Sequence, residues 1–267
     1  MQANHLDKQN HLRLPALRTI APVLGVLLIL AFWQGITMLN LYPSFIIPPP
    51  ISVVQRFIDV AIDGRLWTNT WTTLSQMLVG LGIGLTVGVL LGYVMAKSRA
   101  LEDALSPLVL ALQSTPVVAY APLLVIWFGS GPTSKIITSA LIVFFPMLLN
   151  TLVGIRTVPA SLRDLMRSLN ATRWQMFAQL EVPAALPVLF GGLKVSAVLA
   201  VIGAVVGEFI SSDAGLGYLI NRARYDYDTP LVFVAILMLA LIARVMYGVI
   251  SLLERRALAW QMRSRKS

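Results

Sequence analysis

The chain has 267 residues, of which 57% are hydrophobic and 12% are charged, whereas a soluble domain carries about a quarter charged residues. This composition indicates an integral membrane protein. There is no cysteine, and His5 and His11 both lie in the N-terminal tail, which excludes thiolate chemistry and a histidine-based metal site inside the membrane. The net charge of +9 is scattered beside apolar segments, so it favours membrane flanks over a nucleic-acid partner.

Six segments are apolar enough to be membrane spans, because a helix needs about 20 apolar residues to cross ~30 Å of hydrocarbon. They are 20–39, 74–96, 117–128, 136–153, 187–210 and 231–252. No small-residue cleavage site follows the first, which is therefore a retained span. Prolines interrupt the third, which is predicted to begin as a short surface helix from residue 105. The fold class is all-α, with six transmembrane helices.

The distribution of Lys and Arg predicts the orientation. With six spans, fourteen of the 21 basic residues fall on the side of the termini, five on the other side, and two within spans. The tails 1–19 and 253–267 and the 154–186 loop are therefore predicted to be cytoplasmic, flanking one transmembrane domain over 20–252. On the outer face, 46–51 is predicted to be extended and 53–63 to be an amphipathic helix lying flat.

A polar segment over 157–187 is predicted to form two short helices around a bend. Pro159 can open the first helix, and Asn170 can end it because asparagine tolerates the left-handed conformation. Thr172 and Gln175 then form the pattern of a capping box for the second helix.

Two aromatic residues of that second helix, Trp174 and Phe177, are three positions apart and share a face. An aromatic pair on a polar-flanked helix suits insertion into a groove of a partner protein. The alternative is that both rings rest on the membrane interface, where aromatic residues are common.

The segment resembles the docking loop of bacterial ABC-importer permeases, which is written E-A-A-x3-G-x9-I-x-L-P. Asp164-Leu165-Met166 stands at E-A-A, Asn170 at the glycine, Leu180 at the isoleucine and Val182-Pro183 at L-P. The segments 47–52, 113–135 and 207–220 are similar to the nitrate/sulfonate/taurine/bicarbonate branch of the same family. The resemblance extends from about residue 20 to residue 260, with Asn170 replacing the glycine and Leu165-Met166 replacing two alanines.

The resemblance implies a type I ABC-importer permease with a cytoplasmic coupling helix, which is not an enzyme. Two copies, with an identical second permease chain expected, would form a pore in the bacterial inner membrane. A separate ABC ATPase would bind ATP and Mg, so this chain would need no cofactor, and an external solute-binding protein would deliver a sulfonate, nitrate, taurine, bicarbonate or a vitamin precursor. The residues expected to dock the ATPase are Asp164, Asn170, Thr172, Arg173, Trp174, Gln175, Phe177 and Pro183.

Five further residues are candidates for a pore or gate: Gln113, Tyr120, Lys194, Glu208 and Arg244. Glu208, at the outer end of the fifth span, is expected to make a structural or gating contact. Lys194 and Arg244 lie roughly 10–12 Å from the cytoplasmic ends of their spans. Each can attract an anion in a pore, or snorkel to the cytoplasmic surface.

Two other functional classes remain as alternatives. A stand-alone secondary transporter or channel predicts coupling carboxylates at mid-membrane, and a non-transporting scaffold leaves the 157–187 segment unexplained. The stretch 129–135 looks like a phosphate-binding loop, but Ser134 replaces its second glycine and Ile136 its Ser/Thr. We expect Pro132 to begin the fourth span there instead, and the glycines of the second span to allow close helix packing.

Overall fold

The computed structural model describes residues 15–39 and 41–259, with the side chains of 15–20 and 22 left out. In these residues every regular element is helical. The helices are α1 (Pro15–Met38), α2 (Pro50–Ile62), α3 (Arg65–Lys97), α4 (Arg99–Ser114), α5 (Val117–Phe128), α6 (Pro132–Arg156), α7 (Ala160–Ser168), α8 (Arg173–Ile210), α9 (Leu216–Tyr225) and α10 (Thr229–Ala257). The predicted all-α fold is confirmed.

Each of the six predicted spans lies in a helix. Helices α3, α6, α8 and α10 are individually long and apolar enough to cross a membrane. Helices α4 and α5 meet that criterion together, with a bend of 95° between them, because Pro116 follows a residue that it restricts to extended conformations. The apolar part of α1 is shorter, Val23–Met38.

The centre of the bundle is α6, which packs between α3 and α8. Four glycines at every fourth position of α3 face it: Gly80, Gly84, Gly88 and Gly92. A Cβ atom at Gly84 would lie 2.5 Å from the carbonyl oxygen of Ala140, so the two backbones approach too closely for any side chain there. The predicted role of these glycines in close packing is confirmed. Gly82, by contrast, faces open space.

One prediction is wrong: the second short helix expected in the 157–187 segment is not separate, because α8 continues from Arg173 through the fifth predicted span to Ile210 without a break. The reason is a π-helical turn over Met176–Glu181, in which the Val182 N–H bonds the carbonyl of Phe177, five residues earlier. This wider turn directly precedes Pro183 and accommodates a ring that would otherwise clash with the preceding turn. The second helix predicted for the 157–187 segment and the fifth predicted span thus form one continuous helix.

The predicted extended segment 46–51 is also too long. The Ile46 N–H bonds the Pro43 carbonyl at 2.9 Å in a turn, and only Pro48 and Pro49 precede the helix in irregular backbone. Helix α2 then starts at Pro50. The first residue of a helix has no partner for its backbone N–H within the helix, so proline, which lacks this group, is tolerated there. It carries the amphipathic stretch predicted for 53–63, and it packs on α10.

Candidate functional site

The bend after α7 has the geometry predicted for Asn170. Its φ is 54°, the Ala171 N–H bonds the Met166 carbonyl at 3.0 Å, and the Asn170 N–H bonds the Arg167 carbonyl at 2.9 Å. This pair of bonds is a Schellman motif. Asn170 thus adopts the left-handed bend that its residue type predicts. Pro159 lies one position before the first helical residue rather than within α7.

The start of α8 is fixed by the predicted capping box. The Thr172 N–H donates to the Gln175 side chain at 2.7 Å, and the Gln175 N–H donates to the Thr172 hydroxyl at 3.2 Å. Two N–H groups that a helix start leaves unpaired are thereby satisfied. Arg173, the first residue of α8, is exposed.

The two aromatic residues of this turn have different surroundings. Their ring centroids are 5.5 Å apart, and the Trp174 side chain is 71% exposed. Phe177 is half-buried, with its ring edge-on to Tyr93 of α3 at 5.3 Å. The Trp174 ring is thus available to a partner protein, while Phe177 contacts both Trp174 and Tyr93.

The end of the π turn is anchored to α3 by a buried carboxylate that the sequence analysis missed. Glu181 is 1% exposed, accepts a hydrogen bond of 3.1 Å from the Tyr93 hydroxyl and forms an ion pair with Lys97. The Lys97 ammonium also lies 5.5 Å from the centre of the Tyr93 ring. We call Tyr93, Lys97, Phe177 and Glu181 the coupling clamp.

Helix α7 is tied to the end of α6, because the Arg163 guanidinium donates to the Ile155 carbonyl at 2.6 Å. Asp164 projects outward with its side chain 69% exposed, and it forms an ion pair with Arg167 at 3.2 Å. Pro183 is half-buried at the end of the π turn. The eight predicted docking residues therefore lie along one connected segment, and their contact with an ATPase stays a prediction.

The five pore or gate candidates are not brought together. Gln113 is exposed near the end of α4, and Tyr120 is half-buried on α5. Lys194 forms an ion pair with Glu254 of α10 and lies 5.7 Å from the centre of the Tyr247 ring, so its charge is already balanced within the chain. Arg244 is exposed on α10.

Glu208 is enclosed within the bundle. Its side chain is 1% exposed, and it accepts hydrogen bonds from the Thr73 hydroxyl at 2.7 Å and from the Gly217 N–H at 2.6 Å. The carboxylate thus occupies the start of α9, where unpaired N–H groups favour negative charge. The geometry is that of a structural contact joining α3, α8 and α9.

The same helix start is capped by α3 at two further N–H groups. The Gly215 N–H donates to Asn69 at 2.7 Å, and the Leu216 N–H donates to Thr73 at 2.8 Å. Gly215 has a φ of 114°, and a Cβ atom there would overlap the Glu208 carboxylate. Residues 215–217 therefore need glycine on both sides of Leu216. Sequence reasoning assigned no role to Asn69 or Thr73, because both look like ordinary polar residues of a helix start.

The segment that looks like a phosphate loop has a structural role. The Lys135 ammonium donates to the carbonyls of Ser130 and Gly131, the latter at 3.0 Å, and its side chain is buried. Helix α6 begins at Pro132, as predicted. The lysine closes this turn instead of facing a ligand.

The face of the bundle predicted to be external holds a cavity of about 440 Å³ between the end of α8 and α9. Its polar lining includes Ser211, Ser212, Asn221, Arg222 and Tyr225. Nearby, the Arg56 guanidinium joins α2 to Asp228 before α10, with Nε 2.8 Å from the carboxylate. At the junction of α2 and α3, a hydrogen bond from the Arg65 side chain lowers the pKa of Asp63.

Comparison with known proteins places the chain among transport permeases. It is 48% identical over 244 residues to the riboflavin transport system permease protein of Chloroflexus aurantiacus, covering 90% of this chain and 91% of that one. It is 34% identical to the formylaminopyrimidine transport permease protein of Halalkalibacterium halodurans, covering 91% and 97%. The taurine transport system permease protein of Escherichia coli is 29% identical, covering 93% and 92%.

The fold is similar to that of a solved ABC importer. An inward-facing conformation of the MetNI methionine ABC transporter superposes with a TM-score of 0.63 at 18% identity, over 71% of this chain and 94% of that one. A family model described as binding-protein-dependent transport system inner membrane component matches residues 84–258. The chain therefore belongs to the family of inner membrane components of binding-protein-dependent transport systems.

Proposed function

We propose that this chain is the pore-forming subunit of an ATP-driven importer in the bacterial inner membrane. Two copies enclose the path, and a separate ATPase, which binds ATP and Mg, drives them through the segment 157–187. A solute-binding protein supplies the solute from outside, and the permease itself catalyses no reaction. Both termini face the cytoplasm in this arrangement, which the asymmetry of the basic residues supports.

The observation that carries this proposal is the exposure of Trp174 on a segment that is otherwise held rigid. Its ring is 71% exposed, although the helix that bears it is capped at Thr172 and anchored at Glu181. A large aromatic side chain fixed in one orientation loses little conformational entropy when it enters a groove, and tryptophan is enriched among the residues that dominate interfaces. Asp164, exposed on the preceding helix α7, adds a charge to the same segment.

The solute that we propose is a planar heteroaromatic vitamin or vitamin precursor. The relative named as a riboflavin transport permease is 48% identical to this chain, whereas a protein of Bacillus subtilis named as a putative aliphatic sulfonates transport permease is 34% identical and the taurine permease 29%. Uptake of labelled riboflavin by cells that express the complete importer tests this directly. Saturable uptake of riboflavin with none of taurine supports the proposal, and the reverse pattern contradicts it.

The importer function is tested by isolating the tagged chain from membranes in mild detergent and identifying the proteins that accompany it. The wild-type chain should bring one phosphate-loop ATPase per permease, and Trp174→Ala should lose most of it. Trp71→Ala is the matched control, because Trp71 is also 69% exposed but lies at the other end of the bundle. Full ATPase retention by Trp174→Ala would refute the docking role, and a wild-type chain without any ATPase would favour a secondary transporter.

A further inference from the structure

Arg244 lies inside the sixth predicted span, eight residues and about 12 Å before its cytoplasmic end at residue 252. It is 15 residues from Thr229 and 13 from Ala257, which places its Cα about 20 Å from either end of α10. The side chain is exposed, and the apolar residues exposed on the same helical face are Leu237, Leu241 and Leu252. A guanidinium in such surroundings requires water or a counter-charge, because hydrocarbon does not solvate an ion.

The part of the chain that the structure describes does not supply that counter-charge. Within residues 15–39 and 41–259, Arg244 takes part in no ion pair. Glu254, the carboxylate further along α10, is already paired with Lys194. The N-terminal tail has the wrong sign, since it carries three basic residues and the single acidic residue Asp7.

The guanidinium is directed toward the end of the span that we assign to the cytoplasm. One of its terminal nitrogens lies 3.7 Å from the position of a Cβ atom at Gly248, one turn further along. Long helical side chains normally lean toward the N-terminus, so this one extends in the opposite direction over the glycine. Ser251 and Arg255 continue the same face, at seven and eleven positions after Arg244.

We infer that the strip Arg244, Gly248, Ser251 and Arg255 binds the headgroup of an anionic phospholipid from the cytoplasmic leaflet. The two arginines attract the phosphate from either end, and the small residues between them leave room for it. The acyl chains lie along the exposed leucines of the same face. Because the guanidinium extends toward the cytoplasmic end of the span, the phosphate of a lipid at that interface is the anion within its reach, and basic clusters at the cytoplasmic ends of spans are typical sites for anionic lipids.

The test compares wild-type and Arg244→Gln importers in nanodiscs of neutral phosphatidylcholine that contain increasing fractions of phosphatidylglycerol. Bound lipid is counted by native mass spectrometry after release into detergent. The wild type should retain phosphatidylglycerol, and Arg244→Gln should bind it about fivefold more weakly, which corresponds to the loss of one arginine at the membrane surface. Arg244→Lys should keep most of the affinity. Arg256→Gln, which removes an exposed charge next to the strip, should resemble the wild type.

Equal retention of phosphatidylglycerol by the wild type and Arg244→Gln would overturn the inference. The inference would also be overturned if inorganic phosphate bound the wild type as well as phosphatidylglycerol does, because the site would then be one for free anions. It would likewise be overturned if Arg244→Gln lost the dimer while its lipid retention was unchanged, because Arg244 would then belong to a protein interface. If Arg244→Gln fails to fold, Gly248→Leu tests the inference instead. This variant keeps the charge of Arg244, and its leucine side chain fills the space in which the headgroup would bind. Unchanged lipid retention by that variant would also overturn the inference.

Discussion

The Tyr93 hydroxyl donates a hydrogen bond of 3.1 Å to the carboxylate of Glu181. This bond joins the last turns of α3 to the π turn of α8, next to the ion pair of Glu181 with Lys97 and the edge-on contact of Tyr93 with Phe177. The turn that bears the exposed Trp174 ring is therefore joined to two helices: to α8, of which it is the beginning, and to α3 through the coupling clamp.

Replacing Glu181 with Gln should destabilise the clamp. The variant removes the charge and leaves the Lys97 ammonium without its partner, but Lys97 is 44% exposed and regains water, so the cost should be about 1–3 kcal/mol. Thermal unfolding of the purified chain measures it. Gln179→Ala is the control, because Gln179 is an exposed residue of the same π turn. Equal unfolding temperatures for Glu181→Gln and the wild type would show that the clamp does not contribute to stability.

Replacing Tyr93 with Phe removes the hydroxyl and keeps the ring against Phe177. We expect a loss of about 1 kcal/mol, the usual net contribution of one hydrogen bond. Tyr93→Ala should lose more than this, because it also removes the buried area of the ring and an aromatic contact worth about 0.5–1.5 kcal/mol beyond that area. A double-mutant cycle of Tyr93→Phe with Glu181→Gln should give a non-additive result, because both changes remove the same bond. Additive effects would mean that the two side chains act separately.

If the clamp transmits force, the same variants should also change function. In a reconstituted importer, Glu181→Gln should hydrolyse ATP at a rate near that of the wild type and transport less solute per ATP. The physical reason is that Trp174 still docks while α3 no longer follows α8. The ratio of solute imported to ATP hydrolysed measures this effect. An unchanged ratio would restrict the clamp to a structural role.

Asn170 should tolerate glycine and resist branched residues. Its φ of 54° lies in the left-handed region, where glycine has no steric cost and other side chains cost roughly 1–2 kcal/mol. Asn170→Gly should therefore keep the ATPase and the unfolding temperature of the wild type, whereas Asn170→Val should lower both. Retention of the ATPase by the two variants to the same extent would show that the bend does not determine docking.

Local sequence patterns predicted the bend at Asn170 and the cap at Thr172 well, because each depends on residues three to five positions apart. Asn170, Thr172 and Gln175 make the bonds that their spacing implies. The clamp was beyond such reasoning, since Glu181 is 84 positions from Lys97 and meets it only when α3 and α8 pack. The continuity of α8 was not predicted, because prolines normally end helices and no sequence pattern identifies a π turn.

The glycine row of α3 gives a prediction about packing that has its own control on the same helix. Gly84→Ala should destabilise the bundle by about 1–3 kcal/mol, because its Cβ would lie 2.5 Å from the Ala140 carbonyl oxygen and α3 must move away from α6. Gly82→Ala, two positions earlier and facing open space, should be neutral or more stable by up to about 1 kcal/mol through helix propensity. Unfolding in a graded denaturant compares the two. If both variants match the wild type, α3 and α6 do not pack through this row.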